Sequence, residues 1–406
     1  MAQSEILGLD IGSETIRGVV VEPVGDGKVK ILHSFSKKSK GIRKGVVVDM
    51  EGAVSSINAI FDDIEKVSKG ALKNIYFNVG GVDARVHVSR GTTAVSRASS
   101  EIHKDDVDRV IENSRAISLP SNRSILHTLH REFIVDGVGD IQDPLGMVGT
   151  RLEVISLLID AFQPTIKNLS KCIDIAGGSV SGIIFSPLSS SKSVLTDNQK
   201  ELGVVLIDMG AGSTGISVYE ENKLLHTKVF RIGAGNITND LALALRVPVD
   251  IAEKIKLHYG YAVSSEVPGK EKVDLSKIDP ELKGKPSKKF IAEVIEARIA
   301  EICEIVNKEL RSLEKERALP GGVVVVGGGA KMPGIADLIQ AELRLTTQIG
   351  VADPTLFRAG NQGVKELLES PEYTCVLGLP LWSDEVFKKK RVSGNSLVKM
   401  VKNLLP

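Results

Sequence analysis

Aromatic residues make up only 4% of this 406-residue chain, too few to build the stacking platforms on which single-stranded nucleic acids lie. Cysteine is almost as scarce. Cys172, Cys303 and Cys375 are widely spaced and form no CxxC pair, which argues against a disulfide scaffold and a zinc site and suits a reducing compartment. No apolar run approaches the length of a spanning helix, and the N-terminus has no cationic segment leading into an apolar stretch, so neither a membrane span nor a signal peptide is expected. Excess charge is missing too: 52 Lys and Arg oppose 51 Asp and Glu, leaving no global field to draw the protein to nucleic acid or membrane. Nucleic acid is not an expected partner, and any membrane contact should be peripheral.

What is present is ordinary globular composition, with 42% hydrophobic and 25% charged residues, enough for a sizeable core. The length allows about two to four domains. The 39 glycines favour many tight strand and helix junctions. Charge is unevenly placed: residues 384–406 carry +4, so residues 1–383 carry −3.

The first strong pattern, residues 5–22, is two apolar runs around a Gly/Ser/Thr turn and predicts a β-hairpin. A second copy follows at residues 203–220, and an offset of 198 superposes Asp10 on Asp208, Gly12 on Gly210, Val20 on Val218 and Glu22 on Glu220. This is the mark of an internal duplication, each half an α/β domain. Helical spacing appears within residues 46–61. From Val82 to about Ala161 the texture changes to strand-like segments with a polar helix near Lys104 to Ile117, the expected signature of an inserted α+β domain. Helices are predicted over Gln163 to Ala176, Ile237 to Leu245, Pro248 to Tyr259 and about Lys289 to Leu313. The Lys-rich stretch from Pro268 to Lys289 reads as a surface loop.

A hairpin with Asp at its strand end and a Gly/Ser/Thr turn can aim backbone N–H groups and hydroxyls at a phosphate while the carboxylate holds a hydrated Mg²⁺. Two related hairpins can grip a polyphosphate from both sides. A third element, residues 321–339, combines the buried strand Val-Val-Val-Val with the turn Gly327-Gly-Gly and a helix start, and bare glycine backbone lets a flat base approach closely. Glycines also end strands in many α/β proteins, so the order of all three motifs carries the reading.

These residues resemble the phosphate-1, phosphate-2 and adenosine motifs of the superfamily of actin, heat-shock chaperones and sugar kinases, and Pro333-Gly-Ile-Ala-Asp looks actin-like. More closely, nearly the whole chain is similar to the FtsA family of bacterial cell-division proteins. The segments Gly41-Ile-Arg-Lys-Gly-Val-Val-Val-Asp, Arg123-Ser-Ile-Leu-His-Thr-Leu, Asp143-Pro-Leu-Gly-Met, Ser193-Val-Leu-Thr-Asp-Asn-Gln-Lys-Glu-Leu-Gly, Asn236-Ile-Thr-Asn-Asp-Leu-Ala and Ala252-Glu-Lys-Ile-Lys-Leu-His-Tyr-Gly carry that resemblance. It implies an α/β, actin-like (duplicated ribonuclease H-like) fold. Subdomain 1A takes residues 1–81, 162–188 and about 358–383; 1C, the SHS2-like insertion, takes 82–161. Subdomain 2A takes 189–225 and about 314–357, and 2B takes 226–313.

By the same resemblance, ATP and Mg²⁺ are the expected ligands. Asp10 and Asp208 look like the Mg²⁺-side carboxylates, acting through water. Gly12, Ser13, Glu14 and Thr15, then Gly210, Ala211, Gly212 and Ser213, look like the phosphate cradles. Arg17 stands where Lys is usual and keeps the charge, but its planar fork delivers hydrogen bonds differently. Glu253 and Lys256 resemble the ribose- or base-side pair, and Gly328, Gly329 and Met332 the adenosine pocket. Two departures bear on hydrolysis. Gly215 stands where active relatives often have Asp, and the connecting segment reads Phe185-Ser-Pro-Leu-Ser-Ser without a Glu or Gln. Ser186 is a poor base, so ATP binding with slow or undetectable turnover is expected, and no catalytic residue is assigned.

At the C-terminus, a basic linker (384–395, with Lys388 to Arg391) precedes a predicted amphipathic helix (396–406). Leu397, Val398, Val401, Leu404 and Leu405 fall on one face, and Lys399 and Lys402 avoid its centre. The same stripe would serve a helix docked on its own core or on a neighbouring chain; the basic linker favours anionic lipid, at about 1 kcal/mol per cation near the surface. The resemblance implies a filament-forming protein at the division septum, on the cytoplasmic face of the membrane, that holds the FtsZ C-terminal peptide and works with other divisome proteins. Arg298 matches a basic peptide-binding residue of the family, with Lys285, Lys288 and Lys289 as unaligned helpers that otherwise read as a solvated helix face. His127 and His130, three apart on a strand, should face opposite sides and form no metal site. A small-molecule kinase and an adaptor resembling PilM, the pilus-assembly protein, remain as rivals: the first needs a substrate-side acid or base, the second a membrane protein's peptide.

Overall fold

The structure, a computed structural model, describes residues 5–81, 83–96, 99–358 and 362–387. The expected membrane helix, and the linker beyond residue 387, lie outside the described residues. Elements are numbered in chain order, the short helices α5 (Asp197–Leu202) and α10 (Gln362–Leu368) included.

Two sheets follow one plan. In the first, β1 (Ile6–Ile11), β2 (Thr15–Gly25) and β3 (Lys28–Lys38) form an antiparallel meander, β6 (Ile75–Val79) lies parallel to β1, and β11 (Val180–Phe185) and β17 (Phe357–Arg358) complete the order β11-β6-β1-β2-β3-β17. In the second, β12 (Val204–Met209), β13 (Thr214–Glu220) and β14 (Lys223–Phe230) repeat the meander, β15 (Val323–Val326) is parallel to β12, and β16 (Thr347–Ile349) closes the edge. The duplication extends to register: Asp10 faces Arg17 across the first hairpin and Asp208 faces Gly215 across the second. Strand β1 is buried along its whole length and all of β15 is buried, which is why both read as near-continuous apolar runs.

Helix α1 (Met50–Ser68) follows the small ribbon of β4 (Ile42–Arg43) and β5 (Val46–Val47) and buries Ala53, Ile57, Ile60 and Ile64 on one face against the first sheet. It shares that core with Leu169, Cys172 and Ile173 of α3 (Gln163–Ile175). The second core is built on α6 (Ala234–Leu245), α7 (Val249–Tyr259), α8 (Lys288–Ser312) and α9 (Ile335–Leu343). Helix α8 is started by Ser287, whose hydroxyl accepts from Phe290 N at 3.1 Å, and its buried Ile291, Ile295, Ile299, Ile302, Val306 and Leu310 keep helical spacing. The Lys-rich segment before it is irregular, but Val273 and Leu275 are sunk into the same core, so it is a loop anchored at two apolar points.

Between β6 and α3 the chain forms a separate four-stranded sheet, β7 (Arg85–Ala94), β10 (Arg151–Phe162), β8 (Arg123–Val135) and β9 (Val138–Ile141) in that spatial order, covered by α2 (Lys104–Arg115). At its root Arg123 ties buried Asp160 to the Asp83 carbonyl. His127 and His130 do point to different partners: His127 Nε2 accepts from Phe185 N at 2.9 Å, while His130 Nδ1 lies 3.4 Å from the Ser156 hydroxyl.

The serine-rich crossing between the halves is a buried helix. In α4 (Ser186–Val194), Ser189, Ser190, Ser191 and Ser193 are fully buried, tolerated because their hydroxyls are spent: Ser189 donates to Cys375 O, Ser191 to Pro187 O and Ser193 to Thr374 O, each at 2.7 Å, so no polar atom is stranded. Its partner is the short α11 (Thr374–Gly378). Among the described residues no helix is long and apolar enough to cross a membrane.

Candidate functional site

The two hairpins point their turns into the gap between the sheets, where a cleft has a volume of ≈ 360 Å³, inside the usual range for small-molecule sites. Asp10, Gly12, Ser13, Glu14, Thr15 and Arg17 line it from one side, and Asp208, Gly210, Ala211, Gly212 and Ser213 from the other. Glu253 and Lys256 of α7 and Gly328, Gly329 and Met332 of the turn after β15 form the rest of the wall. All sixteen positions read from the sequence as nucleotide- or metal-side residues thus border one cavity.

Local chemistry explains the shape. Each hairpin turn is closed by its own backbone: Gly12 N donates to Thr15 O at 3.2 Å and Gly210 N to Ser213 O at 2.9 Å. The second turn also rests on the start of α6, where Ala234 N donates to Gly210 O and Gly235 N to Ala211 O, both at 2.8 Å. Gly327 has φ +86°, and a Cβ there would lie 2.5 Å from Asp208 Oδ1, whereas a Cβ on Gly328 would meet nothing within 4 Å. Lys256 bridges Glu253 at 2.7 Å and the Thr238 hydroxyl at 2.8 Å.

The two carboxylates are each held by a residue outside the duplication, which the sequence reading missed. Asn78 Oδ1 accepts from Ile11 N at 2.7 Å, which fixes its amide so that Nδ2 donates to Asp10 Oδ1 at 2.6 Å. The Ser190 hydroxyl donates to Asp208 Oδ2 at 2.6 Å. Burial pushes Asp10 up to about 6, opposed by Arg17 and reinforced by Asp208. Burial raises Asp208 as well. Asn78 was detectable as a carboxamide inside a buried strand; nothing local marks Ser190, nor Lys331 and Glu372, which also line the cleft. Arg17 stacks on Tyr373, 5.2 Å from the ring centroid, approaches Glu372 at 3.7 Å, and leaves its buried Nε without a partner.

Of the two departures, Gly215 packs under Pro187, whose Cγ would lie 2.8 Å from an added Cβ. Ser186 takes a hydrogen bond from Asn78 Nδ2 at 3.2 Å. Across the cleft mouth Lys44 Nζ donates to Arg231 O at 3.1 Å.

The basic residues on and before α8 lie apart from the cleft and do not converge. Arg298 makes a bidentate pair with Asp240, at 2.5 and 2.8 Å, and a further pair with Glu301. Lys285 pairs with Asp274 at 2.9 Å and Lys288 with Glu271 at 2.6 Å. Lys288 and Lys289 start the helix, about 15 Å along its axis from Arg298.

Two matched half-sheets facing one cleft, with an inserted sheet, define an actin-like α/β protein. Among solved structures, the PilM-PilN type IV pilus biogenesis complex matches with a TM-score of 0.63 at 16% identity, over 93% of this chain and 97% of that one. MreB5 of Spiroplasma citri bound to ADP matches with 0.53 at 13%, over 94% and 96%; these likenesses speak to the fold. A family model described as "Cell division protein FtsA" matches residues 205–378, and one described as "SHS2 domain inserted in FTSA" matches 81–159. The cell division protein FtsA of Bacillus subtilis is 36% identical over 354 residues, 86% of this chain and 80% of its own length. That of Pseudomonas aeruginosa is 32% identical over 381 residues, 93% and 88%. The chain belongs to the FtsA family of cell-division proteins.

Proposed function

We propose that the cleft binds ATP with Mg²⁺, and that the nucleotide-loaded protein polymerises and tethers FtsZ filaments to the cytoplasmic membrane at the septum through residues 396–406, helping to recruit the divisome. The observation that carries the reading is the convergence of two duplicated Asp-Gly hairpins and a glycine turn on one cavity. The donor set fits the groups. Backbone amides and hydroxyls of both turns suit phosphate, and Arg17 carries an unanswered buried donor. Gly328 offers bare backbone with open space above it, and Asp10 and Asp208 supply hard oxygens. Among the described residues no cluster of three or more His, Cys, Asp or Glu has metal-holding geometry, so Mg²⁺ here would take ligands from water and phosphate, its usual habit. When bound, it would screen phosphate charge between the carboxylates that Asn78 and Ser190 orient.

Gly215 has no side chain and Ser186 is a poor base, so turnover should be slow or undetectable and nucleotide acts as a conformational and assembly ligand, favouring whichever closed state it binds more tightly. The subdomain division 1A, 1C, 2A and 2B is part of the same reading. So is the peptide site: Arg298 is committed to Asp240 and Glu301, so an acidic FtsZ peptide must compete for it. Arg298→Glu should weaken peptide binding and Asp240→Asn should strengthen it.

Calorimetric titration with ATP in Mg²⁺, paired with liposome co-sedimentation of the full chain and of a chain ending at residue 395, tests the scheme. Micromolar-or-tighter ATP binding by both chains and pelleting by the full chain alone are expected. Absence of ATP binding removes the cleft reading, and equal pelleting removes the membrane reading. The identity of 30–36% to FtsA relatives over most of their length, against 16% to the PilM structure, favours this function over the adaptor or kinase alternatives.

A further inference from the structure

Glu372 sits in the short helical turn Pro371–Tyr373 on the cleft wall, where cations from both halves reach it. Lys331, from the glycine turn after β15, lies 3.3 Å from its carboxylate, and Arg17, from the first hairpin, lies 3.7 Å away. Other charges around the cleft cancel locally: Glu253 and Lys256 pair with each other, and Glu14 is exposed beside Lys38. The charges a phosphate chain would meet are therefore Arg17 and Lys331 against Asp10, Asp208 and Glu372. That balance is negative by one.

A free polyphosphate brings several more negative charges into this space, and the two cations that could receive it already share a carboxylate. A polyphosphate complexed with a divalent cation arrives with part of its charge cancelled, and its cation meets Asp10 and Asp208. We propose that Glu372 is a specificity-determining residue that makes the cleft discriminate against metal-free nucleotide in favour of the divalent-cation complex. The proposal rests on the nucleotide reading of the cleft.

Removing a single charge about 6 Å from a phosphate, at an effective dielectric near 40, changes affinity about tenfold. The test is calorimetric titration of the full chain, as wild type and Glu372→Gln, with ATP in excess EDTA, with ATP in Mg²⁺, and with adenosine as an uncharged probe. Glu372→Gln should bind metal-free ATP about tenfold more tightly, gain much less for the Mg²⁺ complex, and leave adenosine unchanged. The ratio of the two ATP affinities then narrows. An unmoved ratio overturns the proposal, as does an equal gain for adenosine, which would mean a reshaped pocket. Should Glu372→Gln fail to fold, Lys331→Gln carries the reciprocal test and must widen the ratio; an unwidened ratio overturns the proposal. Wild-type protein that binds no ATP under either condition overturns the nucleotide reading and this one together. Wild-type protein that binds the Mg²⁺ complex, with no change in ratio for the variant, overturns this one alone.

Discussion

Gly327 and Gly328 are neighbours under opposite constraints. Gly327 has a left-handed backbone and its missing Cβ leaves room for Asp208, while Gly328 faces open cleft. Gly327→Ala should cost at least about 1–2 kcal/mol of folding free energy, from the φ > 0 conformation and the collision together, read from the urea midpoint. Gly328→Ala should leave that midpoint in place and weaken ATP binding, because its methyl group occupies the space the glycine leaves free. Asp10 gives a pH signature. Its folded value near 6 lies above its ordinary 3.8, so between about pH 4 and 6 the folded chain keeps a proton that the unfolded chain has lost. Stability therefore falls as pH rises through that window, by about 2–3 kcal/mol. Asp10→Asn should raise the unfolding free energy at pH 7 by about that amount and hardly change it at pH 4, in urea titrations at the two pH values without Mg²⁺. At this scale the paired aspartates and the glycines were legible because the duplication writes them twice. Ser190 and Glu372 were not, since each owes its place to a partner on another element, and Asn78 stood out only as a carboxamide inside a buried strand.

Helix α4 shows how an element can mislead. Its run of serines carries no apolar pattern of its own, yet these side chains are buried because neighbouring carbonyls accept their hydroxyls. A hydroxyl needs one such acceptor to be at home in a core, and no local pattern announces it. The same helix is pressed against α11 so closely that a Cβ on Gly378 would stand 1.9 Å from Ser189 O. Gly378→Ala should thus push two backbones apart and cost about 3 kcal/mol or more, with a large loss of thermal midpoint as the readout. By contrast α8 was readable at once, since its apolar residues keep helical spacing for 25 residues and Ser287 marks its start.

Across the whole molecule, the duplication foretold two alike half-sheets, and the change of texture at Val82 foretold an insert. How these bodies touch was not legible. Lys44 reaches from the first half to Arg231 O, and a Cβ on Gly212 would come within 2.9 Å of the Ser13 hydroxyl, so the halves meet at the two hairpin turns. The insert leans on the second half through Lys223 and Asp140, 2.7 Å apart. Lys44→Ala should loosen the mouth and speed ATP release about fivefold, the worth of one hydrogen bond of about 1 kcal/mol, measured by stopped-flow displacement of a fluorescent ATP analogue.

Pro187 has a bearing on how such a protein could change. Its ring fills the space beneath Gly215, so an aspartate installed there strikes the ring before it can reach any solvent molecule beside a phosphate. If the proposed reading of slow turnover holds, faster hydrolysis would require the proline to yield at the same time, and a lineage moving one substitution at a time meets a crowded intermediate first. On that reading the cleft is an evolutionary ratchet, easier to keep as a clasp than to convert into a motor.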